Sequence, residues 1–312
     1  MSLCAAEKIP AWYFNPPADD EIFWYGVGEG DSIRKAKDEA LADIGSKISV
    51  TIGSKVTKDA TQSTTGTFVV YNQNVNVNLV SEVKKMSFNN FEVVYTAQNE
   101  SKQLALVKVE KARFLKDQSQ ILKDTLNEFD RLKLITANKS ALEKFQKYQS
   151  MLPEYEKSKT ILSVLASFDF PFDRIGVSQK IVDFRNSMDE QRSSLEFYIN
   201  SDTHSQYHSD ILKEALSMEK IKILRNLKSK NNNLVILDLD TKTTDKLIYG
   251  SYMTNARTTV SLKSKEGVVL STFTIESRGV SSLDQASALK NASNNFGTQV
   301  AEKGVFSFLG IN

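Results

Sequence analysis

Cysteine is almost missing from this chain. Cys4 is the only one, so no internal disulfide can form and stability must come from buried apolar surface. Histidine is nearly as scarce: His204 and His208 stand alone, which leaves few groups able to move protons near neutral pH. No apolar run approaches the roughly 18 to 20 residues that a membrane-spanning helix needs. Charge of one sign is lacking too. Forty Lys and Arg against thirty-eight Asp and Glu leave a formal charge of +2, too little to gather nucleic acid. The short basic clusters Lys84-Lys85 and Lys228-Ser229-Lys230 read as solvated surface. There is no G-x-S-x-G elbow, and Cys4 has no histidine in its own domain to act as a base, so nucleophilic catalysis has little support. A basic, apolar leader is absent at the start, so any secretory signal is expected to have been cut away or left off this chain.

What is present is an ordinary globular composition, 40% hydrophobic and 25% charged over 312 residues, enough for two domains that each bury a core. The stretch from Ile9 to Val56 organises the rest. Aromatic and β-branched residues from Phe23 to Val27 predict a strand, followed by Gly26, Gly28 and Gly30. Asp31 and Ser32 can cap a helix start. Ile33, Ala36, Ala40, Leu41, Ile44 and Ile48 then recur at helical spacing, which predicts a helix packed on a sheet. Ile48, Val50 and Ile52 alternate, which predicts that the chain re-enters the sheet as a strand over Ser49 to Val56. The G-x-G-x-G run permits an anion-binding turn. It lacks both the dinucleotide fingerprint and the Lys-Ser/Thr ending of a phosphate loop, so a plain strand-to-helix turn is expected.

Pro10-Ala11-Trp12, Asn15-Pro16-Pro17, Tyr25-Gly26-Val27-Gly28-Glu29-Gly30, Ala36 through Ala40-Leu41-Ala42-Asp43-Ile44 and Ile48-Ser49-Val50, with Leu104-Ala105-Leu106-Val107-Lys108-Val109 as a closing strand, together resemble the Lpp-twenty family of bacterial envelope lipoproteins. They are also similar to the first domain of the flagellar ring protein FlgT. The resemblance covers about the first third of the chain. It implies an α+β domain in a non-catalytic structural or assembly factor of the outer membrane or periplasm, without a cofactor. The implied partners are other envelope or flagellar proteins, and a membrane reached through an N-terminal lipid anchor. In such a protein Cys4 would carry the lipid, since more than one acyl chain gives lasting attachment; otherwise Cys4 is a free thiol.

The remaining chain reads in order. Ser49 to Val56 and Phe68 to Val80 predict a long hairpin whose polar tip is Asp59 to Gly66, with Asn74, Asn76 and Asn78 alternating against Val75, Val77 and Leu79; such a ribbon can pair with another chain. Phe88 to Thr96 and Leu104 to Val109 predict a second hairpin. From Ala112 helical stripes continue for about eighty residues: Leu115, Leu122, Leu126, Phe129 and Leu132, then Leu142, Phe145 and Leu152 up to Pro153, which suits a helix start. Ile161, Leu162, Leu165 and Phe168 follow, and then Val177, Ile181, Phe184 and Met188. Leu195 to Ile199 predicts a strand, Ser205 to Leu227 a long helix, and Leu234 to Leu239, Lys246 to Met253, Arg257 to Lys263 and Val268 to Ser277 further strands. Leu283 to Val300 predicts a closing helix, and the apolar tail Val305 to Leu309 is expected to dock on this domain. This β-α-β-β-β-α order resembles small α/β domains of periplasmic assembly proteins such as the N-terminal domain of TolB or the synthase activator LpoB. The expected organisation is a tether over 1–9, an α+β domain over 10–112, a helical connector over 113–193 and an α/β domain over 194–312.

Several residues invite a functional reading. Trp12 and Trp24 either close the end of a core or stack on sugar rings as a cell-wall module. Phe168, Phe170 and Phe172, in a proline-broken loop, either plug a cavity between domains or form a docking surface. His204 and His208, one helical turn apart beside Asp202 and Asp210, could share a metal, yet lack a clear third ligand. Asp238 and Asp240 could hold magnesium, or simply face solvent opposite Leu237 and Leu239. No metal, cofactor or catalytic residue is expected.

Overall fold

The computed structural model describes residues 9–62, 82–83, 86, 88–227 and 231–311. The described residues form an α+β fold with two sheets. Two compact units divide the chain: residues 1–129 with 153–181, and residues 130–152 with 182–312. The helical stretch expected to connect two domains is therefore shared between both units.

In the first unit a short helix α1 (Ala11–Phe14) precedes β1 (Phe23–Gly30), the long helix α2 (Ile33–Gln62), and the hairpin β2 (Phe91–Asn99) and β3 (Lys102–Glu110). The sheet order is β1-β3-β2, antiparallel throughout. Asp20 accepts the backbone N–H groups of Ile22 and Phe23, and Asp19 that of Tyr25, which fixes the entry of β1; those bonds hold the Asp20 carboxyl below its usual pKa. At the start of α2 the Ser32 hydroxyl accepts from Lys35 N–H at 3.3 Å. Asp31 does not cap but pairs with Lys102 at 2.6 Å and Lys35 at 3.3 Å.

Ala36, Ala40, Ile44, Ile48 and Ile52 of α2 are all fully buried, one stripe at a spacing of four. A side chain built on Gly26 would lie 2.1 Å from the Ala40 carbonyl oxygen, one on Gly28 2.2 Å from that of Ala36, and one on Gly30 2.6 Å from the Ala36 nitrogen. The three glycines thus let the helix backbone lie directly on β1, a contact that any Cβ would push apart. The expected strand over Ser49 to Val56 is corrected here, because the helix continues to Gln62. Ile48 and Ile52 are four apart and both buried, whereas Val50 between them is 72% exposed, so the apparent alternation was helical spacing with an exposed valine in the gap. The first arm of the expected long hairpin is therefore helix, and its second arm, Phe68 to Val80, lies outside the described residues. The β2–β3 turn falls where expected, with Glu100 left-handed at φ 52°.

Four helices follow: α3 (Lys111–Thr136), α4 (Ala141–Ser150), α5 (Leu152–Ser167) and α6 (Arg174–Ser194). Ser140 and Glu143 form a reciprocal capping box at α4, and Pro153 sits in the first turn of α5.

The second unit's sheet runs β5-β4-β6-β7-β8, built from β4 (Glu196–Ser201), β5 (Lys222–Leu224), β6 (Leu234–Ile248), β7 (Ser251–Ser264) and β8 (Val269–Ser281). β4 is parallel to β5 and β6, and the remaining pairs are antiparallel. Its helices are α7 (Gln206–Met218), α8 (Gln285–Lys303) and the terminal turn α9 (Val305–Phe308). Here too a glycine admits a helix: a side chain on Gly279 would sit 2.1 Å from the Ala288 carbonyl oxygen and 2.2 Å from the Ala292 nitrogen. Phe308 packs edge-on to Phe296 and Phe273, so the apolar tail docks on this unit. On the edge strand β8, the Val280 carbonyl accepts from the Asn291 amide and the Glu276 carbonyl from Gln299. A buried hydroxyl chain, Ser205 to Thr241 at 2.7 Å and Thr241 to Thr258 at 2.9 Å, ties the start of α7 to the sheet.

Two expectations for this unit are corrected. The helix over Ser205 to Leu227 stops at Met218, because Lys220 turns left-handed (φ 59°) and Lys222 to Leu224 joins β4 as a strand. The segments Leu234 to Leu239 and Lys246 to Met253 are not two separate strands. β6 runs unbroken to Ile248 and reverses at Tyr249 and Gly250, both at positive φ, the geometry of a tight hairpin turn.

Gly28→Val is expected to lower stability by about 3 kcal/mol or to prevent folding, since the clash is with backbone. Gly53→Ala, in α2 where a Cβ meets nothing within 4 Å among the described residues, is expected to raise it by about 0.5 to 1 kcal/mol. Urea unfolding midpoints of both variants check the contrast.

Candidate functional site

The two tryptophans have different surroundings. Trp24 points from β1 into the core, 3% exposed, with the rings of Phe114 at 5.6 Å and Phe168 at 5.2 Å edge-on to it. It cannot stack on a sugar without opening that core. Trp12 is half-buried on α1 and stacks on Tyr95 of β2, centroids 6.0 Å apart at 27°. Tyr95 is 54% and Phe14 65% exposed, so this corner presents an aromatic surface to solvent. The β2 register shift between Val93 and Tyr95 sets Tyr95 opposite Leu106, on the sheet face away from α2. The Tyr13 hydroxyl donates to Glu29 at 3.4 Å; burial and that carboxylate both raise the Tyr13 pKa.

Phe168, Phe170 and Phe172 are half-buried. The first closes over Trp24. Asp169 is left-handed at φ 51°, and Phe170 N–H donates back to the Leu165 carbonyl at 3.0 Å, so the loop is the terminating turn of α5. Lys55 at 2.9 Å and Arg174 at 3.5 Å hold the Asp169 carboxylate and keep its pKa low. Phe172 lines a cavity of about 350 Å³ whose walls include Leu122, Leu126, Leu165 and Val177, with Lys123 and Lys180 also lining it. Phe168 thus acts as a plug within the first unit, and Phe172 borders an apolar cavity. A second cavity, about 500 Å³, lies between α7 and α8 against Ile211, Met218, Gly297 and Val300.

The histidines do not share a site. His204 is exposed, 4.0 Å from Asp202, while His208 is fully buried, edge-on to Phe296 at 4.7 Å. Among the described residues no group of three His, Cys, Asp or Glu side chains could hold a metal ion. Asp238 is bound by Lys263 at 2.5 Å and by the Asn200 amide at 3.0 Å, on the sheet face opposite Leu237 and Leu239. The glycine run is filled by α2 and leaves no cradle for a phosphate. Cys4 lies outside the described residues. Tyr95, the partner of Trp12, was missed in the sequence; its only signal is a tyrosine in a strand of mixed polarity.

Burial drives the His208 pKa down to about 4, against a smaller upward pull from the His204 backbone and Asp202. The unfolded chain therefore binds a proton near pH 6.5 that the folded chain refuses until about pH 4. This contribution to stability is complete above pH 6.5 and is lost as pH falls towards 4, by about 3 kcal/mol at most. Urea unfolding between pH 7 and 4 is expected to show a shallower fall in stability for His208→Leu than for the wild type.

No protein-family model and no curated protein matches the chain. Among solved structures it is similar to the crystal structure of the secreted protein HP1454 from the human pathogen Helicobacter pylori, at 16% identity and a TM-score of 0.51, over 91% of this chain and 98% of that one. A minor lipoprotein from Acinetobacter baumannii matches at 10% identity and a TM-score of 0.30, over 36% of this chain and 92% of that one. The fold of this chain, over nearly its whole length, is therefore like that of a secreted bacterial protein.

Proposed function

We propose that the chain is a non-catalytic bacterial envelope lipoprotein of the Lpp-twenty kind, a scaffold or assembly factor that binds other envelope or flagellar proteins and is held to the outer membrane through Cys4. The observation that carries this reading is how the chemically suggestive side chains are used. Trp24 and His208 lie in cores, Asp238 is bound by Lys263, and the glycine run receives a helix. Among the described residues the surface presents contact area that includes the Trp12–Tyr95 corner and Phe14. Supporting it, the fold is like that of a secreted protein. No helix among the described residues is long and apolar enough to cross a membrane.

A second reading has one observation in its favour. The Trp12–Tyr95 stack offers a partly exposed aromatic plane of the sort that binds sugar rings, which fits a peptidoglycan-binding or synthase-activating module. In that case glycan fragments change the tryptophan fluorescence and Trp12→Ala abolishes the change; in the scaffold reading they leave it unaltered.

For the anchor, the chain expressed behind a lipoprotein signal sequence is expected to incorporate an alkyne-tagged fatty acid and to fractionate with outer membranes. Cys4→Ala is expected to lose both label and membrane association. A Cys4→Ala chain that still carries label would refute attachment at that position.

A further inference from the structure

Two strands of the second unit outrun their neighbour. β4 ends at Ser201, opposite Leu239 of β6, but β6 and β7 continue as a hairpin to Tyr249 and Gly250. At its end Leu247, Ile248 and Tyr249 are 65%, 41% and 103% exposed, with Val280 and the adjoining Leu283 also exposed. Register decides where they point. Opposed residues of an antiparallel ladder share a face. Leu247 lies opposite Tyr252 on the face that carries buried Thr254, Ala256 and Val260 further down. Ile248 lies opposite Ser251 on the other face, and Tyr249 caps the turn.

Apolar side chains thus stand on both faces and at the tip. A groove on a protein partner shields one face of a hairpin, whereas a lipid layer shields it all round. The charges behind the tip suit an anionic layer. From Lys242 to the turn, the face that bears Ile248 carries Lys242, Lys246, Arg257 and Arg278 against a single carboxylate, Glu276. Asp245, on the opposite face, is engaged by Thr254 and Gln285. Lys246 is three residues from Tyr249, about 10 Å along a strand, close to the depth at which interfacial segments seat their apolar part below the headgroups.

We propose that the hairpin tip Leu247–Tyr249 inserts into the interfacial layer of an anionic lipid bilayer, with Lys246 at the headgroups and Lys242 and Arg278 further back on the same face, adding to the attraction. This contact goes beyond a lipid on Cys4 and does not depend on it.

The test uses the 312-residue chain without acyl groups, sedimented with phosphatidylcholine vesicles that either contain or lack phosphatidylglycerol. Binding to the anionic vesicles is expected, about tenfold stronger than to the neutral ones. Leu247→Ser with Tyr249→Ser is expected to weaken it by about tenfold or more without moving the unfolding midpoint, and Lys242→Gln with Lys246→Gln to remove the preference for anionic lipid. With Tyr249→Cys in a Cys4→Ser background, a polarity-sensitive dye at the tip is expected to brighten on the anionic vesicles. Failure to bind either vesicle, binding that the tip substitutions leave intact, or a tip-dependent dimer in sedimentation equilibrium would each overturn the proposal.

Discussion

The structure depends on how closely a helix backbone can lie on a strand. In the first unit α2 rests on β1 at Gly26, Gly28 and Gly30, opposite Ala36 and Ala40. In the second, α8 rests on β8 at Gly279, opposite Ala288 and Ala292. Without side chains on one surface and with only methyl groups on the other, the two layers meet at a distance fixed by backbone atoms. That leaves the large side chains, Ile44 and Ile48 in one unit and Phe296 in the other, to fill the flanks of the contact. Two units with different topologies arrive at the same solution because the constraint is steric: helix and strand each bring their own backbone, and only small residues allow both to be near.

This packing governs how the suggestive residues are used. Glycines before a helix can cradle an anion only if the space above them is open, and here α2 occupies it. Trp24 is drawn inward because its neighbour Gly26 gives the helix room to close over the same face. His208 faces Phe296 of α8, the helix that Gly279 lets down onto the sheet. Trp24 and His208 are thereby taken into the interior, while His204 and the Trp12–Tyr95 corner stay at the surface.

Much of this was legible in residue patterns. The α2 stripe, the Phe88 to Val109 hairpin, the helical succession after Ala112 and the α+β class follow from periodicity, because burial on one face imposes a period that the sequence must carry. The failures have physical causes. Ile48, Val50 and Ile52 satisfy both a period of two and a spacing of four, and only the helix arriving from Ile33 decides between them. Tyr249-Gly250 lacks the Asn-Gly or Asp-Gly pair that marks such turns, so the reversal was hidden inside an apparent strand. The stack of Trp12 on Tyr95 joins residues more than eighty positions apart, and no local pattern encodes it. Burial of His208 was equally invisible, since polar neighbours at a helix start conceal which way the ring turns.

The amides of Asn291 and Gln299 on the rim of the larger sheet carry a last implication. An unprotected border strand offers its carbonyls to any extended chain that passes, the first step towards fibrous polymers. Here two of those acceptors are occupied by the protein's own helix, so an incoming strand would have to evict both before it could zip on. The opposite border, Lys222 to Leu224, is too short to template much. The sheet thereby carries its own guard against self-templated growth.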